Sequence, residues 1–474
     1  MALERITRRE FLRLSGMAAG AAALAACAAP ATPAPQAMEA KEAPPAAAAQ
    51  AQVRYASFDW FAYTPGTRWD EWNQQEAFPR FQAEHPGIQL SWEPLGDGWE
   101  DKILTQMAAA TAPDIISTWS PNLETWSEKG QLLDLQPFID ADIPNHEELY
   151  IKSAWDQMWD PFRNIRMGML TDLDITSVYY SKKAFQEAGV PEPTLEWDVD
   201  DYTQAAQKLT KVDDSGNVTR WGGQLRPDVF LGYFYYVEAF GGQVRDEETR
   251  MVCLLDQPEA QEALEWIRRG MWDINCFAQP NQMAATGLPN LWTGALPSGI
   301  LAFAERSADQ FFALADSMEE GSWDIAHIPQ GPKGRACMGV PDEWVIYKGV
   351  VERGNQDAAW TFMKFLAGEW YQEKIASVAG RIPGLLSQVS KWASILRNID
   401  SRLEKVKLEV LQEQIDMGYA KRAPVFRYQQ VAEELIIPAM EAILVEGKEP
   451  VSIFLEIAPK VTKAQQEAHA RAGG

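Results

Sequence analysis

From Val53 the chain alternates between two kinds of segment, and this alternation constrains its fold more than any other feature. VRYASFDW reads as a strand, and a helical stretch follows that ends in Phe81-Gln82-Ala83-Glu84-His85-Pro86-Gly87. IQLSWEPL is a second strand, DGWEDKILTQMAAATA a helix and PDIISTW a third strand. A βαβαβ series predicts an α/β architecture with a mostly parallel sheet and helices on its faces. Ligands of such sheets bind beyond the carboxyl ends of the strands. Trp60 and Trp119 each close a strand at that end. Trp69, at the start of the following helix, is open to two roles, lining a cleft mouth or shielding the sheet. Trp72, one turn further in, is expected in the core.

Later segments extend the pattern. RMGML and SVYYSKKAF follow, and then a helix over 199–211 with Tyr202, Ala205, Ala206 and Leu209 on one face. Asp213-Asp214-Ser215-Gly216-Asn217 is a turn, too short for a calcium-binding EF-hand loop. The second half is richer in helix. EALEWIRRGMW, DAAWTFMKFLAGEWYQEKIASVAG and QQVAEELIIPAMEAILVEG carry i, i+3, i+4 apolar stripes, the last closed by Gly447. Trp266, Trp272, Trp360 and Trp370 lie on these stripes and are expected to pack.

The amino terminus reads as an address. Thr7-Arg8-Arg9-Glu10-Phe11-Leu12-Arg13 is a twin-arginine stretch, and the run from Leu14 to Ala26 is apolar and built of small residues. That run is shorter than the roughly 20 residues a membrane-spanning helix needs. It ends Leu24-Ala25-Ala26-Cys27, which resembles the lipobox of bacterial lipoproteins, so residues 1–26 are expected to be a signal and Cys27 the lipidated residue. Residues 27–52 are rich in Ala and Pro without apolar periodicity and read as a tether. The protein is thereby expected outside the cell, held by lipid on the outer face of the cytoplasmic membrane.

The formal net charge is −24 at pH 7, from 43 basic and 67 acidic residues. Such a surface repels nucleic acid and anionic headgroups; it argues against nucleic-acid partners and against a large anionic ligand, and says nothing about local patches. Apart from Cys27, the cysteines are Cys253, Cys276 and Cys337, without CxxC spacing. One disulfide is open to them, a disulfide framework is not, and no metal site is expected.

Enzyme chemistry that leaves a spacing in sequence is missing. There is no G-x-S-x-G, no G-x-x-x-x-G-K-[ST] and no H-E-x-x-H, and His146-Glu147-Glu148 lacks a second histidine. His85, His146, His327 and His469 are scattered along the chain. One catalytic alternative leaves no spacing: a secreted glycan hydrolase with two carboxylates across the scissile bond, for which Asp174 and Glu343 are a candidate pair.

Several segments in order carry a resemblance. PDIISTWSPNLETWSEKGQLLDLQPFI, VYYSKKAFQEAGVPEPTLEWDVDDYTQAAQKLTK, IPQGPKG, DAAWTFMKFLAG and GRIPGLLS resemble the family 1 extracellular solute-binding proteins. These are receptors of ABC importers and include the maltose- and maltodextrin-binding proteins. The resemblance spans about Val53 to Gly447, with departures: Tyr180-Ser181-Lys182 carries serine where asparagine is usual, and Leu170-Thr171 stands where a proline is common.

The resemblance implies a periplasmic-binding-protein-like fold of two parallel-sheet α/β lobes joined by hinge crossovers, with a ligand cleft between them. The first lobe would take 53–168 and 324–382, the second 169–323 and 383–474. It implies no enzyme activity and no cofactor. The expected partners are a small solute, with a sugar or oligosaccharide favoured, and the permease subunits of an importer; the protein itself is expected to be a monomer. In carbohydrate-binding members aromatic faces stack on sugars while carboxylates and amides hold hydroxyls. By that analogy the candidate ligand residues are Trp60, Trp119, Asp172, Asp174, Tyr233, Phe234, Glu343, Trp344 and Arg381. Polyamines, glycerol-phosphate compounds and peptides are also taken on this scaffold, and a cation would make Asp172, Asp174 and Glu343 its anchors.

Overall fold

A computed structural model describes residues 51–58, 69–96, 98–119, 122–288, 290–308 and 310–473, apart from the side chains of Phe58 and Trp292. Trp60 and Cys27 lie outside the described residues, as do the signal and nearly all of the tether.

The strands in chain order are β1 (Ala51–Phe58), β2 (Ile88–Leu95), β3 (Ile115–Trp119), β4 (Trp159–Asp160), β5 (Ile165–Arg166), β6 (Met169–Ile175) and β7 (Ser177–Ser181). They continue with β8 (Lys211–Val212), β9 (Val218–Gln224), β10 (Leu301–Arg306), β11 (Trp323–Ala326), β12 (Cys337–Ile346), β13 (Ile382–Pro383) and β14 (Ala420–Lys421). They form one sheet in the order β13-β6-β12-β3-β1-β2, with β14 beside β12, and another in the order β11-β7-β10-β9-β8. β4 and β5 make a separate hairpin.

The opening βαβαβ series folds as its alternation predicts. β1 pairs in parallel with β2 along its whole length, from Ala51 opposite Ile88 to Phe58 opposite Leu95, and in parallel with β3. Ala51 and Gln52, the last two residues of the expected tether, are thus already in the sheet. The connection between β1 and β2 buries Trp69 and Trp72, whose rings stack 4.9 Å apart and both lean on Tyr371. Trp69 shields the sheet and Trp72 belongs to the core.

Neither sheet is mostly parallel, which corrects the sequence expectation. β12 runs antiparallel to both β3 and β6, and in the other sheet only β10 and β9 are parallel. The cause is connectivity. β6 ends at Ile175 in the first sheet and β7 begins at Ser177 in the second, with only Thr176 between them. β12 brings the chain back after β11. Strands that carry the chain straight from one sheet to the other are not βαβ returns, so nothing forces them parallel.

The helical half follows its stripes with two breaks. The helix Gln356–Ala367 stops at Gly368 and restarts as Glu369–Ser377. The helix Gln429–Met440 runs on as a wider turn through Val445. Gly447 takes the left-handed φ of +61°, and a Cβ there would sit 2.6 Å from the Trp272 ring. The helix Val199–Leu209 opens on a capping box, Asp198 accepting from Asp201 N–H and Asp201 from Asp198 N–H. Asp213 closes the expected turn by accepting from the N–H groups of Ser215 and Asn217. Cys253, Cys276 and Cys337 are buried free thiols.

Candidate functional site

The strand register sets charged side chains in a row. Trp119, the last residue of β3, lies opposite Asp342 on β12; Asp342 lies opposite Asp172 on β6, and Asp172 opposite Pro383 on β13. Asp174 is two residues further along β6, opposite Val340. A register shift between Asp342 and Glu343 then places Glu343 opposite Leu170 on β6 and Thr118 on β3. A bulge of this kind re-aims side chains that simple alternation would send elsewhere.

Arg381 enters just before β13 and ties this row together. Its Nε donates to Asp172 Oδ2, and its Nη2 donates to Asp342 Oδ2 at 2.6 Å. Asp172 has no exposed surface. Burial pushes its carboxyl up to about 6; the charge and hydrogen bond of Arg381 oppose the rise and the charge of Asp174 adds to it.

Glu343 is also wholly buried, and neither carboxyl oxygen has a hydrogen-bond partner. Burial lifts its pKa well above the ordinary range, and the negative charges of Asp342, Glu124 and Asp172 lift it further. Arg422 opposes this, but it is engaged with Glu124. Burial and these neighbouring carboxylates favour the protonated form of Glu343, which donates one hydrogen bond and accepts others. The hydroxyl of its cross-strand neighbour Thr118 is buried and unpartnered too. A buried polar group without a partner costs roughly 1–3 kcal/mol.

The second sheet closes on this row. Asp174 Oδ1 accepts the N–H of Ala308, which follows β10, at 3.2 Å. Trp119 packs on an apolar cluster of Leu231, Tyr235, Ala336, Met338, Val340, Ala423 and Val425. The hydroxyls of Tyr233 and Tyr235 are buried without partners. An indole, an apolar bed, and carboxyl and hydroxyl groups with bonds to give make a surface that suits the mixed polar and C–H faces of a polyol.

The structure separates the residues singled out in the sequence. Trp119, Asp172, Asp174, Glu343 and Arg381 come together. Trp344 does not join them: it is 1% exposed, its Nε1 donates to Tyr55 Oη at 3.1 Å and its ring meets Tyr371 edge-on. Phe234 has no exposed surface and sets its ring edge-on to Phe230. Both are core side chains with no exposed face, a correction with two reasons: Trp344 follows Glu343 on β12 and turns to Tyr55 and Tyr371, while Phe234 opens the helix Phe234–Ala239 and packs on Phe230. Tyr233 is buried, with only its hydroxyl unmet. Sequence reading missed Asp342, Thr118 and Tyr235. Asp342 stands beside Glu343 in GVPDEW, and Tyr235 follows Tyr233 and Phe234, so proximity in the chain was the available signal.

Among the described residues no group of three His, Cys, Asp or Glu side chains could hold a metal ion. No helix among them is long and apolar enough to cross a membrane.

Comparison with known proteins agrees with this architecture. Residues 66–373 match the family described as bacterial extracellular solute-binding protein. A Brucella abortus protein named as a binding protein is 23% identical over 394 residues, covering 81% of this chain and 88% of its own. An ABC substrate-binding protein of Listeria monocytogenes, solved with cycloalternan, superposes with a TM-score of 0.71 at 19% identity, covering 89% of this chain and 99% of that one. A maltose-bound protein of T. maritima gives 0.66 at 18% identity, covering 88% and 100%. A Mycobacterium tuberculosis protein solved with glycerophosphocholine gives 0.68 at 17%, covering 89% and 99%. At these identities the superpositions speak for the fold.

Proposed function

The chain belongs to the bacterial extracellular solute-binding protein family, and from that premise we propose that it captures a sugar or oligosaccharide between two closing lobes and delivers it to the permease of an ABC importer. The lobes are the two sheets with their helices, hinged where β6 passes into β7, where β11 returns to β12 and near β13. A two-state hinge lets the ligand select the closed form, which a permease can then recognise. The twin-arginine signal and Cys27 would place the receptor at the membrane as a lipid-anchored monomer.

The observation that carries this reading is the buried, unpartnered carboxyl of Glu343 beside Trp119 and the arginine-tied Asp172 and Asp342. It also bears on ligand charge. A cationic ligand needs anionic anchors, but Arg381 already occupies Asp172 and Asp342, and burial with the neighbouring carboxylates disfavours a charge on Glu343. Sugar hydroxyls ask for what remains: donors, acceptors and an aromatic face. Trp60, were it at the cleft, would add a second such face.

The test is a thermal-shift and calorimetric screen of maltose, maltotriose, mannotriose and cello-oligosaccharides. A saturable rise in melting temperature with the sugar recovered unchanged supports the receptor. Hydrolysis of any of them that Asp174→Ala abolishes would instead establish the glycan hydrolase.

A further inference from the structure

Beyond Glu343 and the Glu124–Arg422 pair lies a group of arginines that the site just described does not use. The β4–β5 hairpin presents Phe162 at its tip, where Asp160 Oδ1 accepts the N–H groups of Phe162 at 2.8 Å and Arg163 at 3.1 Å. The guanidinium of Arg427 lies 4.4 Å from the Phe162 ring centroid and that of Arg250 lies 5.4 Å from it. The two arginines are also joined through the backbone, Arg427 N–H donating to Arg250 O at 2.9 Å.

Neither guanidinium has a carboxylate partner, and the Nε of each is buried without a hydrogen bond. That is unexpected in a chain with 67 acidic residues against 43 basic ones. The nearby acids are otherwise engaged. Glu124 is paired with Arg422, and Glu247 with Arg245 at 2.9 Å. Glu128 feels the charge of Arg427 without contact, and burial raises its pKa. Burial, with repulsion from Arg422 and Arg245, brings Arg250 itself down to about 10.

The backbone holds Arg250 in this position at some expense. Its φ is +55°, in the left-handed region that side chains other than glycine rarely adopt. Asp246 enforces it by gathering the loop, accepting from Thr249 N–H, Thr249 Oγ1, Met251 N–H and Val252 N–H. Strain of this kind persists where the surroundings over-determine it, commonly at ligand clamps. Cation–π contact with Phe162 holds both guanidiniums near the ring before any ligand arrives, which lowers the ordering cost of binding.

We propose that Arg250 and Arg427, held on Phe162, form an anion-binding subsite that takes a carboxylate or phosphate group. It rests on the receptor reading in one respect: the anion would be a substituent of the captured solute, a uronate or sugar phosphate whose uncharged part meets Trp119 and Glu343. Arg422 links the two regions, since it pairs with Glu124 beside Glu343 and lies close enough to Arg250 to repel it. Paired guanidinium forks recognise such oxyanions by charge-assisted hydrogen bonds.

The test is calorimetry on the purified full-length protein at constant ionic strength, with inorganic phosphate, D-galacturonate and D-galactose as probes. Saturable binding of phosphate or galacturonate is expected, weakened on the order of tenfold or more by Arg250→Gln and by Arg427→Gln. Phe162→Leu keeps both charges and loses the ring; it is expected to weaken the same anions, and it serves if an arginine variant fails to fold. No saturable heat with either anion, or anion binding that both arginine variants leave unchanged, overturns the subsite. If neutral oligosaccharides still bind in that case, only this inference falls and the receptor reading stands.

Discussion

Arg381 donates its Nε to Asp172, a carboxylate with no exposed surface that lies 209 residues earlier in the chain. The same guanidinium reaches Asp342, so one cation holds β6 and β12 at the level where the chain passes between its two sheets. Removing it leaves Asp172 buried and uncompensated, and breaking a buried pair from one side costs about 3–5 kcal/mol. Arg381→Met is therefore expected to lower the urea midpoint by that amount of stability. Asp172→Asn in the same background is expected to recover part of it, because the uncompensated charge is gone.

Asp172 also predicts a pH dependence. Its folded pKa of about 6 lies above the ordinary value of 3.8, so between those two values the folded state binds more proton than the unfolded state. Stability from this group is full below about pH 4 and is lost as pH rises through about 6. Glu343 acts in the same direction, since burial raises its pKa too. Urea unfolding from pH 4 to 8 is expected to show this falling component, and Asp172→Asn is expected to flatten its lower part.

Trp119 and Trp344 predict opposite phenotypes. Trp119 is half-buried on the apolar cluster that also contains Leu231 and Tyr235. Trp344 is enclosed by Tyr55 and Tyr371. Trp344→Ala is expected to cost about 3–5 kcal/mol of stability, as large-to-small core changes do. Trp119→Ala is expected to cost little stability and to weaken sugar binding on the order of tenfold, about 1.4 kcal/mol. Melting curves and calorimetry on the two variants check both halves.

The same pair shows where reading the sequence succeeds and where it stops. β1, β2 and β3 were legible because each strand carries its own apolar run and each helix its own stripe, and such signals are local. The placement of Trp119 at a strand end followed from that. The antiparallel course of β12 was not legible, since the partner of a crossing strand is fixed by chain segments more than a hundred residues away. Trp344 and Glu343 were both candidates by the family resemblance, and they are adjacent in the chain. Alternation sends neighbours to opposite faces, and the bulge between Asp342 and Glu343 shifts which residue points where. Arg381 was legible only as a candidate ligand residue; its pairing with two carboxylates at once exists only in the folded sheet.

Glu343 offers the sharpest separation of binding from folding. Its carboxyl is buried and unpartnered, so it is a cost to the fold. Replacing such a group with an apolar one of similar shape removes that cost, and Glu343→Leu is expected to leave stability unchanged or raise it by about 1–3 kcal/mol. A sugar hydroxyl that meets the carboxyl in the complex would find nothing in the variant, and affinity is expected to drop on the order of tenfold to a hundredfold. Glu343→Gln keeps a donor and an acceptor in place and is expected to retain most of the affinity of the parent protein. A leucine variant that is more stable yet binds sugar as tightly as the parent would remove Glu343 from the site and leave it a buried acid of the scaffold.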